Sequence, residues 1–518
     1  MSAGAARPIR LLRAFATVGS WTMASRVLGF IRDVAIAALL GAGPMAEAFF
    51  VAFRLPNMFR RFFAEGAFNM AFIPLFAKRL EAGEDARGFA EEAMAGLIAV
   101  LLVFTAAALI FMPLLVYALA AGFADDPERF RLATLYGRIQ FPYLLCMALT
   151  ALFSGVLNAL GRFAAPAAAP VLLNVILIGA MAFAAVAAAP VGSALALGVL
   201  AAGFAQVWLV ARAARLAGME LRFRRPRWTP AMRRLVALGV PGAIAGGVTQ
   251  INLLIGTAIA SFFDGAVAWL SYADRLYQLP LGVVGVAIGV VLLPELSRRV
   301  RAKDDAGARA AFCRASEFSM ALTLPAAAAL AAISGPLASV LFARGAFTEA
   351  DAAAVAAATA IFALALPAFV MQKVVQPAYF AREDTKSPLR YAILSVGLNT
   401  CVSLIGAPLI GWLAIPIGTA LAGWLNFALL WRGARRFGDA VAADDRLRRR
   451  LPRLLAASLL MAGVVALAAH ALAPALAAGG LRYIALAGLV ALGGVAYASF
   501  ALMLGATSLA DLTASLRR

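Results

Sequence analysis

Residues 46–76 read AEAFFVAFRLPNMFRRFFAEGAFNMAFIPLF. The stretch is apolar and longer than the ~20 residues that a helix needs to cross a bilayer. Yet it carries Glu47, Arg54, Arg60, Arg61 and Glu65. A charged side chain at bilayer depth is costly, so it faces a partner or a water-filled cavity rather than lipid. A segment of this kind belongs to a polytopic membrane protein with an internal polar site. The whole composition agrees. Of 518 residues, 64% are hydrophobic and only 14% are charged, with a mean hydropathy of +0.89. Those proportions cannot build the surface of soluble domains, and they exclude a disordered chain.

Fourteen hydrophobic spans are expected, near 12–40, 45–77, 91–120, 133–160, 165–188, 191–215, 232–262, 266–297, 315–342, 350–380, 388–408, 411–432, 453–474 and 481–505. With the N-terminus placed in the cytoplasm, 34 of the 46 Lys and Arg fall on the cytoplasmic side and four on the outer side. That asymmetry is the positive-inside pattern, and it predicts both termini in the cytoplasm. It also accounts for the net charge of +20 without nucleic acid as a partner. The basic start MSAGAARPIRLLR has no cleavage site behind a short apolar core and reads as a cytoplasmic tail.

The chain repeats itself. Arg54-Leu55 recurs as Arg275-Leu276, Pro74 with Lys78-Arg79 as Pro294 with Arg298-Arg299, and Arg162 before Pro166 as Arg382 before Pro388, each about 220 residues on. The fold expected is all-α: two six-helix lobes of the same orientation, residues 1–217 and 232–437, a basic linker at 218–231, and two further helices with a tail at 438–518.

Charge inside the spans is the informative feature. The first span holds Arg26, Arg32 and Asp33, and the eighth holds Asp274 and Arg275. Lys373 stands between Gln372 and Gln376 in the tenth, and Arg138 reads as an interfacial residue that snorkels. Arg26 and Asp33 are seven apart, close to one helical face, as are Arg54 and Arg61. Gly29, Pro56 and Gly66 are expected to loosen or interrupt their spans. An Arg32–Asp33 or Asp274–Arg275 pair could be purely structural, but the excess of arginine across three spans points to an anionic ligand. Guanidinium groups bind phosphate bidentately and stay ionised when desolvated. Nothing suggests an enzyme: there is no GxxxxGK[ST], GxSxG or HExxH, GAIAGG at 242–247 lies within an apolar span, and the acids neighbour arginines. His470 stands alone, and Cys146, Cys313 and Cys401 have no metal-site spacing.

SRVLGFIRD at 25–33, the stretch at 48–77 and YADRLYQLPLGVVGVAIGVVLLPELS at 272–297 closely resemble the MurJ (MviN) lipid II flippase family of the MOP exporter superfamily, as does YFAREDTKSP at 379–388. The resemblance covers essentially the whole chain. It implies a MATE-like fold in the cytoplasmic (inner) membrane, with the last two helices forming a lipid-facing groove. It places essential cavity arginines at Arg26, Arg32, Arg60 and Arg275, and a cavity aspartate at Asp33. Glu47 stands where the family usually has Asp, and Arg54 where some members have Lys; both keep the sign of the charge. Together with Arg61, Asn57 and Asp274, these are the candidate substrate-binding residues.

The expected function is transfer of lipid II, the undecaprenyl-pyrophosphate-linked precursor of peptidoglycan, from the inner to the outer leaflet by alternating access. No cofactor is expected. Coupling would be to membrane potential or to a monovalent cation, whose ligands the sequence does not place. Lipid II and membrane lipids are the expected partners, with other cell wall synthesis or division proteins suggested by the family's role. Two alternatives remain at this level: a flippase for another polyprenyl-pyrophosphate-linked oligosaccharide, and a cation-coupled antiporter, which would line its cavity with acids rather than arginines.

Overall fold

The computed structural model describes residues 8–60 and 67–507. Among these the chain is helical throughout, apart from loops and one isolated bridge between Arg344 and Phe347. Among the described residues nine helical segments are long and apolar enough to cross a membrane. One of them, 386–441, reverses at Gly411, whose φ of +65° suits glycine, so it supplies two crossings. The other expected spans, the first, second, seventh and eighth, coincide with helices that carry the charges or adjoin residues outside the description.

The chain forms two compact units, residues 1–268 and 269–518. The first contains α1 (Pro8–Leu40), α2 (Pro44–Arg60), α3 (Ala67–Glu81), α4 (Ala86–Ile110), α5 (Met112–Leu119), α6 (Pro127–Gln140), α7 (Tyr143–Ala159), α8 (Ala164–Ala187), α9 (Val191–Leu216) and α10 (Pro230–Ala260). Here α1 packs on α8, α8 and α7 on α9, α2 on α6, and α10 on α3. Compactness thus groups α10 with the first unit, and the division falls inside α11 (Ala266–Arg301) rather than in the basic linker. The linker is extended and tied down on α4: Glu91 accepts from the Arg222 amide at 3.0 Å and pairs with Arg224, while Thr229 donates to Glu92 at 2.9 Å.

The second unit continues through α12 (Asp305–Ala332), α13 (Ser334–Phe342), α14 (Glu349–Phe380), α15 (Lys386–Ile410), α16 (Ala414–Ala434), α17 (Asp445–Ala471), α18 (Ala473–Ala477) and α19 (Leu481–Met503). Its pairings repeat those of the first: α15 on α16 as α8 on α9, α14 on α16 as α7 on α9, and α12 on α14 as α4 on α7. The last long helices, α17 and α19, pack on one another through Met461, Val465 and Leu489. At its basic end α17 is held to α12, where Glu317 pairs with Arg314, Arg446 and Arg450.

The loosening expected at Gly29 leaves its helix continuous, and the interruption expected at Pro56 is absent. Helix α1 runs unbroken through Gly29, and α2 continues past Pro56 to Arg60. Next to the proline, the Asn57 side chain donates to the Phe53 carbonyl at 2.8 Å, supplementing the ladder that a proline weakens. Gly66 lies outside the described residues.

Candidate functional site

The charged residues of unit 1 form two buried networks. The first lies in the C-terminal third of α1. Arg32 and Asp33 are 7% and 5% exposed, low values for charged side chains. Arg32 donates to one Asp33 carboxylate oxygen through Nε at 3.0 Å and Nη2 at 2.7 Å. Its Nη1 donates to Asn174 Oδ1 on α8 at 2.9 Å, and the Asn174 amide in turn donates to the Ser25 carbonyl at 2.9 Å. One guanidinium is therefore held by an adjacent carboxylate and a neighbouring helix, which fixes its plane. Arg60 is half-buried at the end of α2, and Tyr143 of α7 is buried and donates to Gln206 of α9 at 3.2 Å. Arg26 is half-buried one turn before Gly29.

The second network lies at the other end of α2. Glu47 is fully buried. Its Oε2 is 3.1 Å from Arg129 Nη1 of α6, and its Oε1 accepts from the Val267 amide at 3.1 Å. Arg129 also reaches Asp264 at 2.8 Å and Asp126 at 3.3 Å. The Glu47 carboxylate is thus engaged from two sides. It lies thirteen residues from Arg60, about 20 Å along the helix. Between the two ends, Arg54 donates to the Thr257 hydroxyl of α10, which itself donates to the Leu253 carbonyl at 2.7 Å.

In unit 2, Asp274 is half-buried and accepts from Gln278, while Arg275 is exposed. Tyr277 packs on Phe362 with ring centroids 4.9 Å apart. Lys373 is exposed on α14, beside Gln372, which bridges to α16 through the Gly423 carbonyl and Asn426. Arg138 is exposed and donates to the Leu109 carbonyl at 3.2 Å, as a snorkelling residue would. Arg61 lies outside the described residues. Among the described residues no group of three or more His, Cys, Asp or Glu could hold a metal ion.

Sequence reasoning overlooked Asn174, Arg129 and Tyr143. Asn174 had a signal: it is an amide in the apolar run PVLLNVILIG, where an unpaired polar group would be costly. Arg129 was counted only among the outer-loop cations, and nothing local reveals that it turns inward.

Long apolar helices, three of whose pairings recur in both units, with a guanidinium buried in each of two ionic networks, define a polytopic membrane transporter. The chain belongs to the family described as Lipid II flippase MurJ, whose model matches residues 36–486. It is 48% identical over 525 residues to the "Probable lipid II flippase MurJ" of Rhizobium meliloti (strain 1021), covering 98% of this chain and 96% of that relative. It is 35% identical over 464 residues to the "Lipid II flippase MurJ" of Burkholderia cenocepacia, covering 88% and 90%. Among solved structures, its fold is similar to "Lipid II flippase MurJ, inward closed conformation", with a TM-score of 0.79, 22% identity and coverage of 94% and 98%. An inward-facing multidrug resistance MATE transporter of the MOP superfamily follows, with a TM-score of 0.68, 13% identity and coverage of 82% and 98%.

Proposed function

We propose that the protein is a transporter that moves lipid II from the inner to the outer leaflet of the cytoplasmic membrane, with both its termini in the cytoplasm. The observation that carries this reading is family membership over most of the chain, combined with buried Arg32 on α1 and half-buried Arg54 and Arg60 on α2. Arg26, Arg32, Arg60 and Arg275 hold the pyrophosphate and sugar–peptide head. Asp33 and Asn174 orient Arg32 so that its fork is set before the ligand arrives; a preset donor binds without paying to be ordered. The polyprenyl tail stays in lipid against α17 and α19.

Export is favoured electrically. Each negative charge moved outward across an inside-negative membrane gains ~2.3 kcal/mol per 100 mV. A pyrophosphate with about two charges is therefore driven by the potential, and a monovalent cation would serve to reset an empty cationic site. Arginine rather than lysine matters if the phosphate contact is bidentate.

The test is depletion in cells followed by measurement of the leaflet in which lipid II accumulates, with variants supplied in trans. Inner-leaflet accumulation that wild-type protein reverses, and that Arg60→Ala and Arg275→Ala present at normal levels do not, is the expected result. Normal growth and export with both variants would overturn the assignment of the arginines. Unchanged lipid II with accumulation of a different polyprenyl-linked sugar would overturn the substrate.

A further inference from the structure

We propose that the basic end of unit 1 is a second anion site, outside the translocation reading, that binds a phosphate group through Lys78, Arg79 and Arg234. A cleft of about 140 Å³ opens there, lined by these three cations with Leu75, Glu84 and Phe89. A water takes up about 30 Å³ in the liquid, so the cleft has room for a phosphate with part of its hydration shell. Arg79 lies against Phe89 with its guanidinium carbon 4.7 Å from the ring centroid, which holds the group on one side of the cleft. Among the described residues its one carboxylate partner is Glu84, at 4.0 Å the outer limit of an ion pair. Lys78 and Arg234 are exposed, and neither has a carboxylate partner among the described residues.

The repeat supplies the control. Adding 220 to Leu75, Lys78, Arg79 and Glu84 gives Glu295, Arg298, Arg299 and Asp304. There Glu295 pairs with Arg298 and lies 2.6 Å from Arg299, which is also 2.8 Å from Asp304. The second half thus neutralises its own cations with an acid one turn earlier. The first half has leucine in that position and adds Arg234 from α10. The surplus positive charge sits where α3 leaves its apolar stretch and α4 and α10 begin. Two sources offer the same chemistry: the phosphodiester of an anionic glycerophospholipid, or free phosphate. Guanidinium and ammonium groups suit either.

The experiment uses the purified full-length chain in detergent. Native mass spectrometry would count bound phosphatidylglycerol against phosphatidylcholine, and thermal melting would be followed with inorganic phosphate. Two variants are compared with wild type. Lys78→Gln/Arg234→Gln removes exposed cations, and Leu75→Glu installs the acid that the second half carries. Each variant's melting without ligand reports folding. Binding is expected to weaken about tenfold in both, in line with the loss of two solvent-facing ionic contacts. A preference for phosphatidylglycerol that the variants abolish identifies a lipid headgroup. Melting raised by inorganic phosphate in wild type alone, with both lipids binding alike, identifies soluble phosphate. The proposal is overturned if wild type shows neither response, or if both folded variants respond as wild type does.

Discussion

Two buried ionic networks sit within unit 1, and they are built on opposite plans. Around Arg129, three carboxylates converge on one guanidinium: Glu47, Asp126 and Asp264. Asp264 is almost fully exposed, so that network has one foot in solvent. It ties the start of α2 to α6 and to the segment leading into α11. Around Arg32, its partners among the described residues are one carboxylate and one amide, both buried, on α1 and α8. The first arrangement has surplus acceptors and joins the ends of helical segments. The second is balanced and sets the orientation of a single side chain. Burial of charge therefore does not by itself mark a ligand site; what matters is whether the partners lock helix ends together or aim one group.

The largest effect should come from Arg129→Ala. It strands Glu47 in a site with no solvent, and breaking a buried pair costs ~3–5 kcal/mol. Expression and melting temperature of the detergent-solubilised protein should fall sharply. Arg129→Ala combined with Glu47→Gln should recover part of the loss, because a neutral amide needs no counter-charge. A variant that melts normally yet fails to support growth would break the comparison, since the Arg129 network would then serve transport rather than the fold.

Asn174→Ala should do less to stability and more to function. It removes one acceptor from Arg32 and leaves the Asp33 contact, a loss of about 1–3 kcal/mol for an unsatisfied buried donor. Transport measured by lipid II export should drop further than melting temperature does, because Arg32 can then swing about its remaining partner. Equal loss in both readouts would make Asn174 a packing residue and erase the distinction between the two networks.

Much of this was legible beforehand. Hydropathy gave the helices because lipid leaves the backbone no alternative to helix. Charges such as Arg32 and Asp33 stood out because the chain around them is apolar. The repeat was visible as an offset, and the same helix pairings recur in both units. Pairing was not legible. Arg32 finds Asn174 142 residues away, and Glu47 meets Val267 220 residues away. No local periodicity encodes such choices. The family resemblance offered Glu47 as a binding residue; its engagement with Arg129 and a backbone amide depends on how α6 and the start of α11 close over it. The grouping of α10 with unit 1 was hidden for the same reason, since its sequence belongs to the second repeat while its packing partners are α3, α4 and α5.

The smallest effect concerns a surface counterpart of these networks. In the turn between α14 and α15, Asp384 accepts from the Ser387 amide at 3.0 Å and pairs with Arg436. The amide hydrogen bond, followed by the contacts to the Ser387 hydroxyl and Arg436, holds its carboxyl below the ordinary value of 3.8. The folded state therefore binds the proton more weakly than the unfolded chain. Its contribution to stability is fully present above pH 3.8, and it fades as pH falls through the lower folded value. Between pH 5 and 8, Asp384→Asn should shift melting by no more than a surface substitution does, within about 0.5 kcal/mol. The gap between variant and wild type should close further on acidification, and raising salt should narrow it at neutral pH, because exposed pairs are screened. The buried Arg32–Asp33 pair should resist the same salt. If melting of Asp33→Asn proves as salt-sensitive relative to wild type as that of Asp384→Asn, then the α1 network is wetted in solution, and its balanced, buried character is lost as the basis for orienting Arg32.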